Sequence, residues 1–201
     1  MTEFDFGTLT ARERYKLMIG TVVPRPIALV TTVNEHGLVN AAPFSFFNCL
    51  SADPPILALG VEFKPDMSFK DTSHNIRMTE VFTVNMVSVA IAEAMHVCAA
   101  KYASDVDELE MAGLTARPGV KVASPWIAEA PAAFECRKHM TLELGKSRQI
   151  ILGEIVYAHY ADGVVDDRLH VDPAGMDTIA RLGGDTCSTI RDRFDMMTPV
   201  L

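Results

Sequence analysis

The chain has 201 residues, with 18 Lys and Arg against 26 Asp and Glu, so its formal net charge is −8 and its isoelectric point is near 5.2. This acidic balance argues against nucleic acid or an anionic membrane as the main partner. No apolar run approaches the roughly 18–20 residues of a membrane span, and the acidic start MTEFDFGT lacks the basic and apolar parts of a secretory signal. A length of 201 residues predicts one domain over residues 1–201, and a hydrophobic content of 49% predicts that it is globular.

The four cysteines are far apart and form no CxxC pair; they are Cys49, Cys98, Cys136 and Cys187. In a chain of this length such spacing indicates reduced thiols, which predicts a cytoplasmic protein.

A short helix is predicted over about residues 10–19, because Thr10 and Glu13 have the spacing of a capping box and Gly20 is a natural stop. Pro24 and Pro26 then hold Arg25 in an extended segment. A fixed guanidinium suits a phosphate or carboxylate. The alternative is a solvated arginine at the entrance to a strand.

The stretch from Pro24 to Pro55 is the most informative in the chain. Residues 27–33 (IALVTTV) are β-branched or apolar and predict a buried strand, and residues 34–37 (NEHG) predict a turn. The segment 40–45 (NAAPFS) then mixes an amide, small side chains, a proline and a hydroxyl, which lets a ligand approach the backbone. The alternative is a proline-interrupted edge strand. After Pro54–Pro55, residues 56–61 predict another core strand.

These motifs occur in a fixed order: RPIALVTT, a glycine turn, NAAPFSF and then SADPP. Further along come Lys64, Asp71–Thr72, Asn75–Ile76 and the FTVN of residues 82–85. Through these motifs and their order, the chain resembles the flavin reductase-like, FMN-binding split-barrel proteins. The resemblance is strong over the first half of the chain and weaker afterwards.

The resemblance implies a mainly β fold with helices: an antiparallel, Greek-key-like split β-barrel with an N-terminal helix and a C-terminal extension over about residues 163–201. It also implies a homodimer with FMN bound near the interface.

The resemblance further implies which residues hold the cofactor. Backbone and side chains of the first region would face the flavin ring and ribityl chain, and a second region would hold the phosphate. The implied cofactor-binding residues are Arg25, Asn40, Ala41, Ala42, Pro43, Ser45, Phe46, Asn48, Cys49, Leu50, Lys64, Thr72, Asn75 and Arg148.

The phosphate seat has a physical rationale beside the resemblance. A helix is predicted from Asp71 or Thr72 to Thr79, and its first turn offers unpaired N–H groups to an anion. Thr72 would add a hydroxyl and Lys64 a charge. The alternative is an ordinary capped helix with exposed lysines.

The second half of the chain predicts a strand over 81–87, a helix from Ser88 to about Tyr102, and an acidic run over 104–110 that is either a solvated face or, as in the family, a lid. Residues 116–131 predict an irregular crossing loop. Residues 134–144 alternate, which predicts a half-buried strand with partner strand 149–159. Its apolar face would hold Phe134, Cys136, Met140, Leu142 and Leu144, interrupted by Lys138.

Two positions depart from the family pattern. Relatives commonly carry a histidine where this chain has Arg148, and an aromatic where it has Cys187. The first change keeps a possible flavin contact, and the second removes a possible stacking ring.

No GxGxxG or GxxxxGK[ST] loop, HExxH pair or GxSxG elbow is present, so no metal site or catalytic side chain is predicted. The cofactor itself would supply the reactive centre. The resemblance therefore implies a flavin reductase-type enzyme that takes hydride from NAD(P)H and passes electrons to free flavin, a partner monooxygenase or a small acceptor. The alternative is an FMN-binding electron carrier, like flavoredoxins, without nicotinamide activity.

Overall fold

The computed structural model describes residues 1–199, so the last two residues of the predicted C-terminal extension lie outside the described part. Its α-helices are α1 (Ala11–Thr21), α2 (Asp71–Thr79), α3 (Ala92–Val97), α4 (Glu108–Ala112) and α5 (Pro173–Met176). The strands of the first half are β1 (Arg25–Pro26), β2 (Ala28–Val33), β3 (Val39–Phe44), β4 (Phe47–Ala52), β5 (Pro55–Glu62) and β6 (Val81–Met86). Those of the second half are β7 (Ala116–Arg117), β8 (Trp126–Ile127), β9 (Ala132–Leu144), β10 (Arg148–Tyr160), β11 (Ile179–Arg181) and β12 (Cys187–Thr189).

One antiparallel seven-stranded sheet forms the centre of the fold, in the order β3-β2-β6-β9-β10-β5-β4. The strands β3 and β4 follow each other in the chain but lie at opposite edges. The two edges meet because the sheet curls, which brings β3 against β5. The mainly β, antiparallel fold predicted from the sequence is therefore confirmed.

Strand β2 is buried on both faces, which explains its continuous apolar run. Ala28 and Val30 pack into the barrel interior with Phe82, while Leu29 packs outward with Ala41 and Ile91. A strand covered on both sides needs no polar alternation. Inside the barrel, Phe82 lies so close to Gly153 that a Cβ there would come within 2.3 Å of its ring, so only glycine fits.

Polar residues on the outer faces of the strands hold the crossing segment 120–127. The Thr83 hydroxyl donates to the Ser124 carbonyl at 3.2 Å, and the Ile127 N–H donates to Asn85 Oδ1 at 2.8 Å. Thr31 donates similarly to the Pro125 carbonyl. Because these strand residues are fully buried, their polar groups must be paired, and the loop backbone supplies the partners.

Glu135 is the strongest of these anchors. Its side chain is fully buried, and it accepts the N–H groups of Val120, Lys121 and Val122 at 2.6–3.1 Å. His159 Nε2 lies 2.7 Å from the same carboxylate. Burial raises the pKa of Glu135, but the hydrogen bonds from Val120, His159 and the neighbouring amides outweigh it and hold that pKa below its ordinary value.

For the strand 134–144, the prediction of one continuous apolar face is wrong beyond Lys138. Phe134 and Cys136 pack against the core, but Met140, Leu142 and Leu144 are 45–49% exposed. A β-bulge is the cause: Lys138 pairs with Gly153 and Met140 with Leu152, so one residue is extra in β9 and the alternation changes face.

Two helix predictions differ from the structure in length. The N-terminal helix has the predicted capping box between Thr10 and Glu13 but runs past Gly20 to Thr21. The predicted helix from Ser88 to about Tyr102 is shorter: a 3₁₀ turn over Val89–Ile91 leads into α3, which ends at Val97. Over residues 1–199, no helix combines the length and apolarity that crossing a membrane would require.

We expect Glu135→Gln to lower the free energy of unfolding by about 3 kcal/mol at neutral pH, since one amide oxygen cannot serve three N–H donors and His159. Urea unfolding measures this loss. Because the folded pKa of Glu135 lies below the unfolded one, its contribution is present above the ordinary glutamate pKa and is lost as the pH falls through the folded value. Glu154→Gln, in a side chain that is 44% exposed, serves as the control. Equal stability of the two variants would contradict this role of Glu135.

Candidate functional site

Two predicted regions meet at one mouth of the barrel. The Asn40 side-chain amide of β3 lies 3.1 Å from the hydroxyl of Thr72 in α2 and 3.4 Å from that of Thr32. The Asn75 amide donates to the same Thr32 hydroxyl at 3.0 Å. Residues 40 and 72, far apart in the sequence, are therefore in direct contact.

The N-terminus of α2 is suited to an anion. Its N-cap residue, Lys70, makes no side-chain hydrogen bond to the helix end. The N–H groups of the first turn are therefore open to another acceptor. The Thr72 hydroxyl accepts from Asn40 and keeps its own proton for donation. Lys64 Nζ lies 3.2 Å from Asp71 Oδ1, which places a cation beside the helix end.

A cavity of about 670 Å³ opens beside this helix end; we call it the polar cavity. Three predicted residues line it: Asn40, Lys64 and Asn75. The turn between β2 and β3 contributes His36, and α2 contributes His74. Thr72 is only 1% exposed and lies behind Asn40.

A second cavity of about 570 Å³ lies between α1 and the strands β4, β5 and β10; we call it the apolar cavity. Its predicted lining residues are Arg25, Ser45, Phe46, Asn48 and Arg148. Most of the rest of its wall is aliphatic. The predicted site residues thus divide between two cavities, and strand β3 leads from Asn40 in the first towards Ser45 in the second.

Phe46 contacts two side chains beside the apolar cavity. The ring of Tyr15 is nearly parallel to it, with centroids 6.3 Å apart, and the Arg148 guanidinium lies 3.8 Å from its centroid on a cation–π contact. Arg148 also binds the Glu62 carboxylate, which leaves its charge partly compensated. These two contacts restrain the Phe46 ring at this wall of the cavity.

Arg25 is buried, so the alternative of a solvated arginine is wrong. Its Nη1 donates to the carbonyls of Ile19 and Val22 at 2.6 and 2.7 Å, and its Nη2 donates to that of Leu182 at 2.8 Å. The guanidinium therefore closes the end of α1 and joins it to the C-terminal part of the chain. Its Nε is buried without a partner, and a ligand contact of Arg25 stays a prediction.

The two edge strands carry the other predicted residues together with Asn48. Ala41, Ala42 and Pro43 belong to β3, where a proline at the open edge costs no ladder hydrogen bond. The exposed backbone of β4 carries Asn48, Cys49 and Leu50 at the other edge.

Glu108 is a residue near the site that the sequence analysis missed. Its acidic run was expected to be a solvated face or a lid, yet Glu108 is 9% exposed and its Oε2 accepts the Ala41 N–H at 2.9 Å. Burial raises the pKa of this carboxyl, and the charges of Asp107 and Asp71 add to the effect. One acidic residue among several gives no sequence signal of such a contact.

Comparisons with known proteins identify the family of this chain. A family model described as "Flavin reductase like domain" matches residues 19–178. An uncharacterized protein of Deinococcus radiodurans is 40% identical over 97% of this chain and 88% of its own length.

Two solved structures are similar over nearly the whole chain. The 2-nitrobenzoate 2-nitroreductase of Pseudomonas fluorescens is 36% identical, with a TM-score of 0.88 and coverage of 98% of this chain and 96% of its own. Component B of nitrilotriacetate monooxygenase from Bacillus cereus is 28% identical, with a TM-score of 0.93 and 98% coverage of both chains. The chain therefore belongs to the family of proteins with a flavin reductase like domain and has the split-barrel fold.

We expect Arg25→Lys to lower the free energy of unfolding by about 2 kcal/mol, because a single ammonium cannot reach the three carbonyls that the planar guanidinium binds. Urea unfolding measures the change, and trypsin cleavage within α1 should become faster. Arg14→Lys, on the exposed face of the same helix, is the matched control. Equal behaviour of both variants would show that the three bonds contribute little.

Proposed function

We propose that this protein is an FMN-dependent oxidoreductase of the flavin reductase type that takes electrons from NAD(P)H. The observation that carries the proposal is the contact between Asn40 and Thr72 at the wall of the polar cavity, with Lys64 beside it. Two chain segments that resemble flavin-binding motifs meet there at one site.

The polar cavity has the chemistry that a phosphate needs. The first turn of α2 presents N–H groups and the positive end of the helix dipole. Lys64 adds a cation, and the Thr72 hydroxyl has a donor to spare. These groups would hold the 5′-phosphate of FMN.

The apolar cavity suits the other end of the cofactor. Small residues along β3 allow a ligand to lie close to the backbone, and Ser45 at the end of the strand offers a hydroxyl. The fixed ring of Phe46 and the aliphatic wall would exclude water from a flat, largely apolar group. The residues present therefore fit FMN at both ends.

When bound, FMN would supply the redox chemistry, accepting two electrons as hydride from NAD(P)H and passing them to a second acceptor. The chain's own residues would bind and orient the cofactor: Lys64 and Thr72 would hold one end, and Ser45 and Arg148 would face the other. We infer that the chain acts as one domain in a cytoplasmic homodimer. Free flavin or a partner monooxygenase would take the electrons, as the similar monooxygenase component suggests.

The absorption spectrum of the purified protein after incubation with FMN and gel filtration tests cofactor binding. Flavin bands that co-elute with the protein support the proposal, and their absence together with no change in FMN fluorescence on titration would refute it. Steady-state oxidation of NADH and NADPH then separates enzyme from carrier. Fast turnover supports the reductase, whereas bound flavin that only a protein partner reduces supports the electron carrier.

A second candidate acceptor is a small nitroaromatic acid. The apolar cavity places the guanidinium of Arg148 beside an aliphatic wall, which suits an apolar ring that bears a carboxylate. The similarity to the 2-nitrobenzoate 2-nitroreductase supports this candidate. NAD(P)H oxidation that depends on added 2-nitrobenzoate would support it.

For the phosphate seat, we expect Lys64→Ala to weaken FMN about tenfold while riboflavin, which lacks the phosphate, is almost unaffected, because Lys64 takes no part in the contact between Asn40 and Thr72. Fluorescence titration with both flavins measures the difference. Lys121→Ala removes an exposed lysine elsewhere and is the control. Equal weakening of both flavins would contradict a phosphate-binding site at α2.

For the ring end, we expect Ser45→Trp to abolish measurable binding of both FMN and riboflavin, because the indole would fill the end of the apolar cavity next to β3. The melting temperature should change little, since Ser45 lies outside the core. Ser51→Trp on the exposed part of β4 controls for a bulky surface residue. Undiminished flavin affinity in Ser45→Trp would show that Ser45 does not lie at the flavin site.

A further inference from the structure

Strand β3 has one unprotected side. It is the edge strand of the seven-stranded sheet and pairs only with β2, so alternate N–H groups point away from the ladder. One of them belongs to Ala41, which is fully buried. An orphaned buried N–H would cost free energy, and Glu108 supplies its acceptor at 2.9 Å.

Glu108 is itself held firmly. Asp107 caps α4 by accepting the Leu109 N–H at 2.8 Å, and Leu109, 1% exposed, packs in the same outer apolar cluster as Ala41. The Glu108 carbonyl lies 3.6 Å from the thiol sulfur of Cys98, the residue that follows α3. The carboxylate is therefore positioned by its helix and not by a flexible side chain alone.

The contact lies one residue away from the candidate site. Ala41 is the neighbour of Asn40, whose amide binds Thr72, and Ser104, just before α4, lines the polar cavity. The segment 104–108 thus reaches from the cavity wall to the edge of β3. A shift of Glu108 would shift Ala41 and, with it, the Asn40–Thr72 contact.

We propose that Glu108 is a positioning residue that fixes β3, and through it the wall of the polar cavity, in the geometry that binds FMN. This inference rests on the proposed FMN function. Glu108 acts through its hydrogen bond to Ala41 and does not touch the ligand. The bond, and not the charge, is what the site needs.

Four variants separate these roles. Glu108→Ala removes the acceptor. Glu108→Asp keeps the charge but withdraws it by one carbon–carbon bond, roughly 1.5 Å, so that it no longer reaches Ala41. Glu108→Gln removes the charge but keeps an oxygen acceptor. Glu110→Gln, on the exposed side of the same helix, is the matched control.

We expect the FMN dissociation constant to rise about tenfold in the Ala and Asp variants, the effect of one lost hydrogen bond to a buried group, and to stay near the wild-type value in Glu108→Gln and Glu110→Gln. Fluorescence titration well below each melting temperature ensures that only folded protein is compared. If Glu108→Ala does not fold, the Asp and Gln pair gives the same contrast.

Two results overturn the inference while FMN function stands: wild-type FMN affinity in Glu108→Asp, or an affinity in Glu108→Gln as poor as that in Glu108→Asp. A role limited to stability would lower the melting temperature of the variants and leave the affinity of the folded protein unchanged. Wild-type protein that binds no FMN overturns the proposed function together with the inference.

Discussion

The contact between the Asn40 amide and the Thr72 hydroxyl is the constraint on which the candidate site depends. It joins an edge strand to the N-terminus of a helix at the mouth of the barrel. Thr32 accepts hydrogen bonds from both Asn40 and Asn75, so strand β2, strand β3 and helix α2 are held as one unit. Without this network the N–H groups at the start of α2 would have no fixed position relative to the small-residue segment of β3.

The barrel accommodates this site because its two edges are made by consecutive strands. The chain leaves β3, turns at Ser45 and Phe46, and continues as β4 at the opposite edge of the sheet. Backbone that would otherwise pair within the sheet is then open at the point where the edges meet. On the far side of the strands, Glu135 and its neighbours hold the crossing segment and keep the sheet covered.

Each of the two cavities has a cationic side chain beside it, although the chain is acidic overall. Lys64 pairs with Asp71 beside the polar cavity, and Arg148 pairs with Glu62 beside the apolar cavity. Each cation is therefore held in place but not fully neutralised by a partner that is itself partly exposed. Buried Glu108 lies behind the polar cavity, where its carboxylate satisfies a backbone amide.

The sequence by itself determined the class of fold, the positions of most strands in the first half and the motifs of the flavin reductase like domain, because local β-propensity, turn residues and motif order are properties of short segments. It also predicted the helix from Asp71 to Thr79 and the capping box of α1. Only the tertiary structure decided that Arg25 binds three carbonyls, that a bulge in β9 exposes Met140 and its neighbours, and that Glu108 reaches Ala41. These features depend on which segments lie beside one another after the sheet curls, and that pairing is not encoded in any one segment.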